Sequence, residues 1–258
     1  MKTFILATIV QLTSLFTFAY VMPLEVVLKK NTALSGSQIF SVEQDVTFKD
    51  AVREYVIREN WLIEGDKNLK LTATGLADLK DSFRFVAIYN NKNKTMVSGK
   101  NKITQPNNID FFERYLAVRS VDSFKNYLAA LSIAPNIRLS RAGGAVSFAI
   151  GEASSLDALK PQIWFDQDEF FLRKIRLPGQ AEISFHDYAT FGLIRYPKTK
   201  LVSWAGHVVQ IKVRSVSTKT GATLNAFYPQ NLDQPSEVLL TNRGPAGAVI
   251  EEFYRRFR

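Results

Sequence analysis

The sequence predicts a mainly β protein of the α+β class, in which a curved antiparallel sheet is covered by short helices. Runs of alternating apolar and polar residues recur along the chain and are separated by turn-forming pairs such as Pro178-Gly179. Between two groups of these runs, the apolar spacing changes to three and four residues, which is typical of helices. With 46% hydrophobic residues and 19 phenylalanines among 258 residues, the chain has ample apolar surface for one large core.

The first 19 residues predict a cleaved signal peptide. Lys2 supplies a positive start, residues 4–18 are mostly apolar without an acidic residue, and small residues precede a cut before Tyr20. A membrane anchor needs about 20 apolar residues, and three polar residues interrupt this run. The chain has no cysteine, so we expect no lipid anchor, disulfide or thiol chemistry. We therefore expect an exported protein with a single domain over residues 20–258.

The first group of strands follows a short helix that is predicted at residues 24–30. Five strands are predicted at residues 39–49, 54–63, 68–75, 82–89 and 95–100. Their apolar residues occupy alternate positions, and alternate side chains of a strand point to the same face. One face of this sheet is therefore expected to be apolar and the other wet.

Two helices are predicted between the two groups of strands. Asn107 or Asn108 can cap a helix whose apolar stripe runs over residues 109–116, and Ser120 can cap a second that runs to Leu131. Each stripe has to be buried, and the inner face of the sheet is the only large apolar surface available. We expect both helices to lie across the opening of the sheet as a plug or lid.

The second group of strands is the most regular part of the sequence. After a strand at residues 145–153, strands are predicted at 163–165, 170–177, 181–188, 200–204 and 207–216. Turn-forming pairs at Pro178-Gly179, Tyr196-Pro197 and Ala205-Gly206 separate them. This order predicts a meander of hairpins with one apolar face.

A final helix is predicted at residues 245–258, opened by Pro245. Cations at its end suit the helix dipole. Its apolar face carries Val249, Ile250, Phe253, Tyr254 and Phe257. The helix either docks on the sheet, which we expect, or touches a membrane surface.

No group of residues predicts catalysis, a metal site or a cofactor. The two histidines, His186 and His207, lack the spacing of a metal site, and His186 and Asp187 point to opposite faces of one strand. The carboxylates of residues 166–169 offer oxygen ligands for Ca²⁺, but without a glycine-punctuated loop they favour a solvated turn. We therefore expect a protein that is not an enzyme.

The order of motifs over residues 161–213 resembles the LolA-like periplasmic lipoprotein carriers and outer-membrane lipoprotein-sorting domains. A strand opens on Trp164-x-Asp166, a later strand reads Phe185-x-Asp187-Tyr188, and a pair of strands follows Pro197. The resemblance covers about residues 38–216. It implies an open antiparallel half-barrel of about ten strands around short helices, and the periplasmic carriage of lipoproteins or other acylated molecules without catalysis or cofactor.

Two features of the family pattern do not carry over. Well-known carriers latch their lid with an arginine on an early strand, and Arg58 lies on a predicted strand but without the surrounding motif. The final helix also exceeds a minimal carrier. Binding of a hydrophobic ligand is therefore better supported than lipoprotein transport proper.

The aromatic-rich apolar face predicts a site for an acyl chain, because burial gains about 0.8 kcal/mol per CH₂ group. The alternative is that the same side chains are simply core. The residues expected to line the site are Phe40, Val42, Phe48, Ile57, Trp61, Phe83, Phe85, Ile183, Phe185, Val209 and Ile211.

These observations favour a carrier of an acylated protein or lipid in the cell envelope. An envelope interaction or sensor module with the same fold is the alternative, and an enzyme is a distant third. The formal charge of +9 suits an anionic membrane surface or an acidic protein partner. Export argues against nucleic acid as a partner.

Overall fold

The computed structural model describes residues 21–155, 158–240 and 243–258, so the predicted signal peptide at 1–19 lies outside the described residues. Within these ranges, fourteen strands form one antiparallel sheet. The prediction of a mainly β, antiparallel fold is confirmed, with more strands than the expected ten or so.

The strands occur in two consecutive groups and one short addition. The first group is β1 (Phe40–Lys49), β2 (Glu54–Ile63), β3 (Asn68–Gly75), β4 (Phe83–Asn90), β5 (Asn93–Ser98) and β6 (Asn101–Pro106). The second is β7 (Ile137–Ala142), β8 (Ala145–Ile150), β9 (Gln162–Asp166), β10 (Leu172–Arg176), β11 (Glu182–Phe191), β12 (Ile194–Trp204) and β13 (His207–Thr218). A two-residue strand, β14 (Glu237–Val238), pairs with the start of β4.

Each group is a meander, and the two meanders are joined where β1 pairs with β13. The order across the sheet therefore runs from β6 to β1, then from β13 to β7. Strands β6 and β7 form the two edges, so the sheet is open. This agrees with the expected half-barrel.

Three α-helices and five short 3₁₀ segments accompany the sheet in the described ranges, and four of these elements matter for the site. They are α1 (Leu24–Thr32), the 3₁₀ turn Glu113–Ala117, α2 (Val121–Ala130) and α3 (Gly244–Phe257). As predicted, Ser120 caps α2: its Oγ accepts a hydrogen bond from the backbone N–H of Ser123 at 3.1 Å.

The helix predicted at residues 109–116 is wrong, because only the 3₁₀ turn Glu113–Ala117 forms there. The side chain of Asn108 accepts a hydrogen bond from the N–H of Asp110, 2.9 Å away. This local bond makes an Asx turn, which competes with helix initiation. The apolar residues of the segment are nevertheless buried, as the pattern required.

Three other expectations about the strands are corrected. The first group has a sixth strand, β6, which was not predicted. It is exposed along its whole length, so its sequence carries no apolar alternation. No strand was predicted directly before residue 145, but β7 runs to Ala142 and forms a hairpin with β8 that turns at Gly143-Gly144, with positive φ at both residues. Strand β12 continues through Pro197, because β13 pairs only with Thr199–Trp204 and leaves the earlier part of β12 as an edge.

Candidate functional site

The eleven residues predicted to line an acyl site all face the concave side of the sheet. They come from β1, β2, β4, β11 and β13, their exposed fractions run from 0 to 6%, and they belong to one core cluster. Alternate residues of these strands are buried, as the period of two requires. The structure therefore brings all eleven residues together on one face, and other parts of the chain pack over that face.

Helix α3 docks on the sheet, as expected from the sequence, and covers part of this apolar hollow. The Phe253 ring lies 5.3 Å from Phe48, and the Tyr254 ring lies 4.7 Å from Phe83, measured between ring centroids. The Phe257 ring lies 5.1 Å from that of Trp204. These α3 residues and Ile250 are at most 2% exposed, so the apolar face of α3 fills part of the space above the sheet.

The 3₁₀ turn and α2 cover the rest of the hollow. Phe112, next to the 3₁₀ turn, has its ring 6.3 Å from Phe185, and Phe124 of α2 has its ring 5.5 Å from Phe165. Both phenylalanines are fully buried. The predicted covering of the sheet by helical segments is thus present, with α3 as an additional cover.

A ring of four charged side chains lies inside this core. Glu59 of β2, Glu113 of the 3₁₀ turn, Lys200 of β12 and Arg258, which follows α3, have side chains that are 0% exposed. Their formal charges cancel. An isolated charge in such a place would be very unfavourable, so the arrangement depends on pairing within the ring.

Arg258 connects α3 to the sheet through this ring. Its Nε and Nη2 donate to the two carboxylate oxygens of Glu59 at 2.8 and 3.1 Å, a bidentate pair. Its Nη1 lies 3.8 Å from Oε2 of Glu113. The guanidinium also stacks against Phe112 and Phe253, each 4.8 Å away.

Lys200 completes the ring on the side of the second meander. Its Nζ pairs with Glu113 and donates to Oε1 of Gln44 at 2.9 Å. Gln44 Nε2 in turn donates to Glu59 at 2.7 Å, and the Tyr196 hydroxyl donates to Glu113 at 2.6 Å. Hydrogen bonds therefore link both acids and both bases into one network.

Pairing decides the charge state of the acid at the centre. Burial alone would raise the pKa of Glu113, but Lys200 and Arg258 hold its pKa below the ordinary value. Burial lowers the pKa of Lys200, and Glu113 opposes that shift. Burial would also lower the pKa of Arg258, but Glu59 and Glu113 raise it. Pairing within the ring therefore favours the charged forms of Glu113 and Arg258.

Further contacts hold α3 on the two halves of the sheet. Arg256 pairs with the buried carboxylate of Asp110 and donates to the carbonyl oxygen of Gly179 at 2.8 Å. Lys94 of β5 donates to the carbonyl oxygen of Arg258 at 2.8 Å. Arg58 does not contact these covers: it lies on the outer face and pairs with Asp45 at 2.9 Å.

The buried polar residues of this network were not predicted from the sequence, although the positions of two of them carry a signal. Glu59 has the same phase as Ile57 and Trp61, which were assigned to the apolar face. Gln44 likewise falls between Val42 and Val46 on the inner phase of β1. A polar residue in an inward phase indicates a buried partner, but its identity requires the tertiary structure.

No metal site is found in the described ranges, where no three His, Asp or Glu side chains are close enough to hold an ion. The turn considered for Ca²⁺ uses its first carboxylate internally: Asp166 accepts from the N–H of Asp168 and of Glu169 and pairs with Arg173. His186 shares a hydrogen bond with Ser184 at 2.9 Å. None of the three described helices is long and apolar enough to cross a membrane.

The sequence matches no protein-family model and no curated protein. Solved structures do match the fold. A LolA superfamily protein from Nitrosomonas europaea aligns with a TM-score of 0.57 at 10% identity, over 82% of this chain and 100% of its own. An outer membrane lipoprotein-sorting protein domain from Vibrio parahaemolyticus aligns with a TM-score of 0.55 at 13% identity, over 81% and 97%.

A third match is a DUF1329 family protein from Desulfovibrio piger, with a TM-score of 0.53 at 10% identity, over 81% of this chain and 96% of its own. At these identities the likeness concerns architecture. The open antiparallel sheet, the helical covers and these alignments agree with the resemblance seen in the sequence. The chain has a LolA-like fold.

Proposed function

We propose that this protein binds an acyl chain of a lipid or lipoprotein in the apolar hollow, in exchange for helix α3, and carries it within the cell envelope. The eleven residues of the concave face listed above would line the bound chain. The predicted signal peptide would deliver the protein to the periplasm without a lipid anchor. The proposal includes no catalytic step and no cofactor.

The observation that carries this proposal is that one amphipathic helix, α3, supplies a large part of the cover of the apolar hollow. Docking of an amphipathic helix in a groove is a common way of occupying a binding surface reversibly. Helix α3 presents its apolar face to the sheet and leaves Glu251 and Arg255 exposed. Its release would free the surface without unfolding the strands.

The energies of the two occupants are of similar size. A chain of about sixteen carbons gains roughly 13 kcal/mol on burial, and the four large buried side chains of α3 (Ile250, Phe253, Tyr254 and Phe257) together gain on the order of 10 kcal/mol. Release of α3 also leaves Glu59 without its bidentate partner, which adds to the cost. The exchange is therefore close to balanced, and α3 sets the threshold for binding.

The test uses a matched pair of variants on α3. Arg256→Gln removes the ion pair with Asp110 and the bond to Gly179, whereas Arg255→Gln changes an exposed neighbour by the same charge. Binding of a fluorescent fatty acid is measured by titration for both. We expect Arg256→Gln to bind several-fold more tightly than wild type, because α3 is held less firmly, and Arg255→Gln to match wild type.

Two results would contradict the proposal. One is the absence of saturable fatty-acid binding by wild type and by Arg256→Gln. The other is equal binding by the two variants, since the affinity would then not depend on the docking of α3. Circular dichroism of both variants verifies that the sheet is intact.

A second function is favoured by one observation, the filling of the hollow by the chain itself. A core closed by α3 and by the charge ring is what an envelope interaction or sensor module would need, because such a protein binds a partner without carrying a ligand. Native mass spectrometry of protein taken from an envelope extract separates the two functions. Added lipid mass supports the carrier, whereas a lipid-free mass with a co-purifying protein supports the module.

A further inference from the structure

The four buried charges of the ring come from different parts of the fold. Glu59 and Lys200 are on β2 and β12, and Glu113 is in the 3₁₀ turn, whereas Arg258 follows α3. With all four in place, two acids face two bases and the formal charges sum to zero. Withdrawal of α3 takes Arg258 away and leaves two acids with one base, a net formal charge of −1 inside an apolar hollow.

Glu59 is the acid that loses its partner in this exchange. Its two carboxylate oxygens accept from Arg258 at 2.8 and 3.1 Å, whereas Glu113 keeps its ion pair with the lysine of β12. Gln44 and Trp61 donate to Oε2 of Glu59 at 2.7 and 3.0 Å, and both donors are neutral. They fix the position of the carboxylate without balancing its charge. A carboxylate in an apolar place without a cation is very unfavourable.

Aromatic rings lie beside the place that the Arg258 guanidinium occupies. Its central carbon lies 5.5 Å from the centre of the Trp61 ring and 4.8 Å from that of Phe112. Trp61 is on β2 and Phe112 directly precedes the 3₁₀ turn, so neither ring leaves with α3. Both side chains are at most 1% exposed. A carboxylate beside two aromatic faces suits a cation, including an ammonium group.

We propose that the preferred ligand of the hollow is an amphiphile with a positively charged amino group, which replaces the Arg258 guanidinium against Glu59. The inference rests on the proposed exchange of α3 for an acyl chain and adds the charge of the head group. An ammonium group donates to the carboxylate, lies beside Trp61 and Phe112, and restores the neutrality of the ring. A fatty acid fills the same hollow more weakly, because it leaves Glu59 without a cation. The selection thus includes a penalty on the wrong ligand.

The test is calorimetric titration of the protein at pH 7 with dodecylamine and with dodecanoate, each below its micelle concentration. The two ligands have the same number of carbon atoms and opposite charges, since an alkylamine is protonated at this pH as a lysine side chain is. We expect wild type to bind dodecylamine at least tenfold more tightly than dodecanoate, because only the amine pairs with Glu59.

A matched pair of variants assigns this preference to Glu59. Glu59→Gln/Arg258→Met removes both partners, and the new amide oxygen can still accept from Gln44 and Trp61. Arg258→Met alone keeps the carboxylate. The ratio of the two affinities depends on the occupied hollow, from which Arg258 is absent in any case, so Arg258→Met should retain the wild-type ratio. The double variant should bind the two ligands with nearly equal affinity.

Two controls separate this effect from charge and from folding. Glu54→Gln removes the same charge from an exposed position of β2 and should leave the ratio unchanged. Circular dichroism and thermal unfolding verify that each variant is folded. If the unpaired carboxylate prevents Arg258→Met from folding, the comparison of wild type with the double variant decides alone, because the double variant buries no unpaired charge at this position.

Three results overturn the inference and leave the proposed function standing. One is that wild type binds dodecanoate as tightly as dodecylamine, or more tightly. Another is that the double variant retains the wild-type ratio, and the third is that a folded Arg258→Met loses it, since the preference would then not come from Glu59. If wild type binds neither ligand saturably, both the inference and the proposed acyl binding fail.

Discussion

At the scale of single residues, the molecule is defined by the charges buried in its core. Lys200 and Glu113 form an ion pair with no exposed surface, and Gln44 and Tyr196 satisfy further bonding capacity around them. Burial of two charges costs several kcal/mol each, so such a pair adds little net stability. Breaking one side is different, because it leaves the other charge buried with fewer partners.

The first residue-scale prediction concerns Lys200→Met. We expect it to lower the free energy of unfolding by about 3–5 kcal/mol, since Glu113 then loses its closest cation. The double variant Glu113→Gln/Lys200→Met should be less destabilised than Lys200→Met alone, because no unpaired charge remains at this position. Chemical denaturation of the wild type and the three variants completes the cycle.

Lys198→Met is the matched control for this cycle, because Lys198 lies two residues earlier on β12 and is exposed. It should change the free energy of unfolding by less than about 0.5 kcal/mol. If the double variant were as unstable as the sum of the two single variants, the two side chains would not interact and the described ring would be wrong.

Lys94 gives a prediction about pH. Burial lowers the pKa of Lys94 from 10.5 to about 8 in the folded protein, so the unfolded chain holds this proton more tightly. The cost of burying the charge is fully present below pH 8 and disappears as pH rises towards 10.5. This residue alone should therefore increase the free energy of unfolding over that interval, by on the order of 3 kcal/mol.

The measurement is the difference in unfolding free energy between wild type and Lys94→Met from pH 7 to 10. Other groups titrate in both proteins, so the difference isolates Lys94. Wild type should gain stability relative to the variant above pH 8. A constant difference across the range would show that Lys94 is not buried as a cation.

At the scale of elements, the strands were the most predictable part of the molecule. Predicted strands at 54–63 and 68–75 coincide with β2 and β3, because alternation of apolar and polar residues records a sheet with two unlike faces. Strand β6 lacks that alternation because no apolar face is buried, and it could not be found. A break was predicted at Pro197 because proline cannot donate a backbone hydrogen bond within a sheet. The strand continues there because β13 does not pair with this part of β12, which the sequence does not reveal.

The helices show where local patterns stop being informative. The amphipathic pattern over 245–258 predicted a helix, and the structure has α3 at Gly244–Phe257. The choice between docking on the sheet and touching a membrane depends on long-range contacts such as Arg258 with Glu59, which are 199 residues apart. Periodicity gives the apolar face of a helix but not the surface that covers it.

The candidate hollow was predictable as a set of residues but not as a site. All eleven side chains face inward because the strand phases fix their direction. The charges inside were overlooked, since the apolar neighbours of Glu59 dominated the pattern of β2.

At the scale of the whole molecule, an open sheet wraps around covers supplied by the chain itself. The two meanders meet at β1 and β13. Helix α3 connects them, because Arg256 binds the carbonyl oxygen of Gly179 in the second meander and Arg258, which follows the helix, binds Glu59 in the first. The same side chains are therefore core in the structure and the proposed lining for an acyl chain. These two roles are compatible only if α3 leaves the hollow when a ligand enters.

Hydrogen exchange measured by mass spectrometry, with and without a saturating long-chain fatty acid, tests this exchange most directly. Without the fatty acid, the amides of α3 should be protected, because the helix is packed on the sheet. With the fatty acid, our account predicts that exchange accelerates across residues 244–257 while β1, β2, β11 and β13 remain protected. Fatty-acid binding that leaves the protection of α3 unchanged would contradict the account.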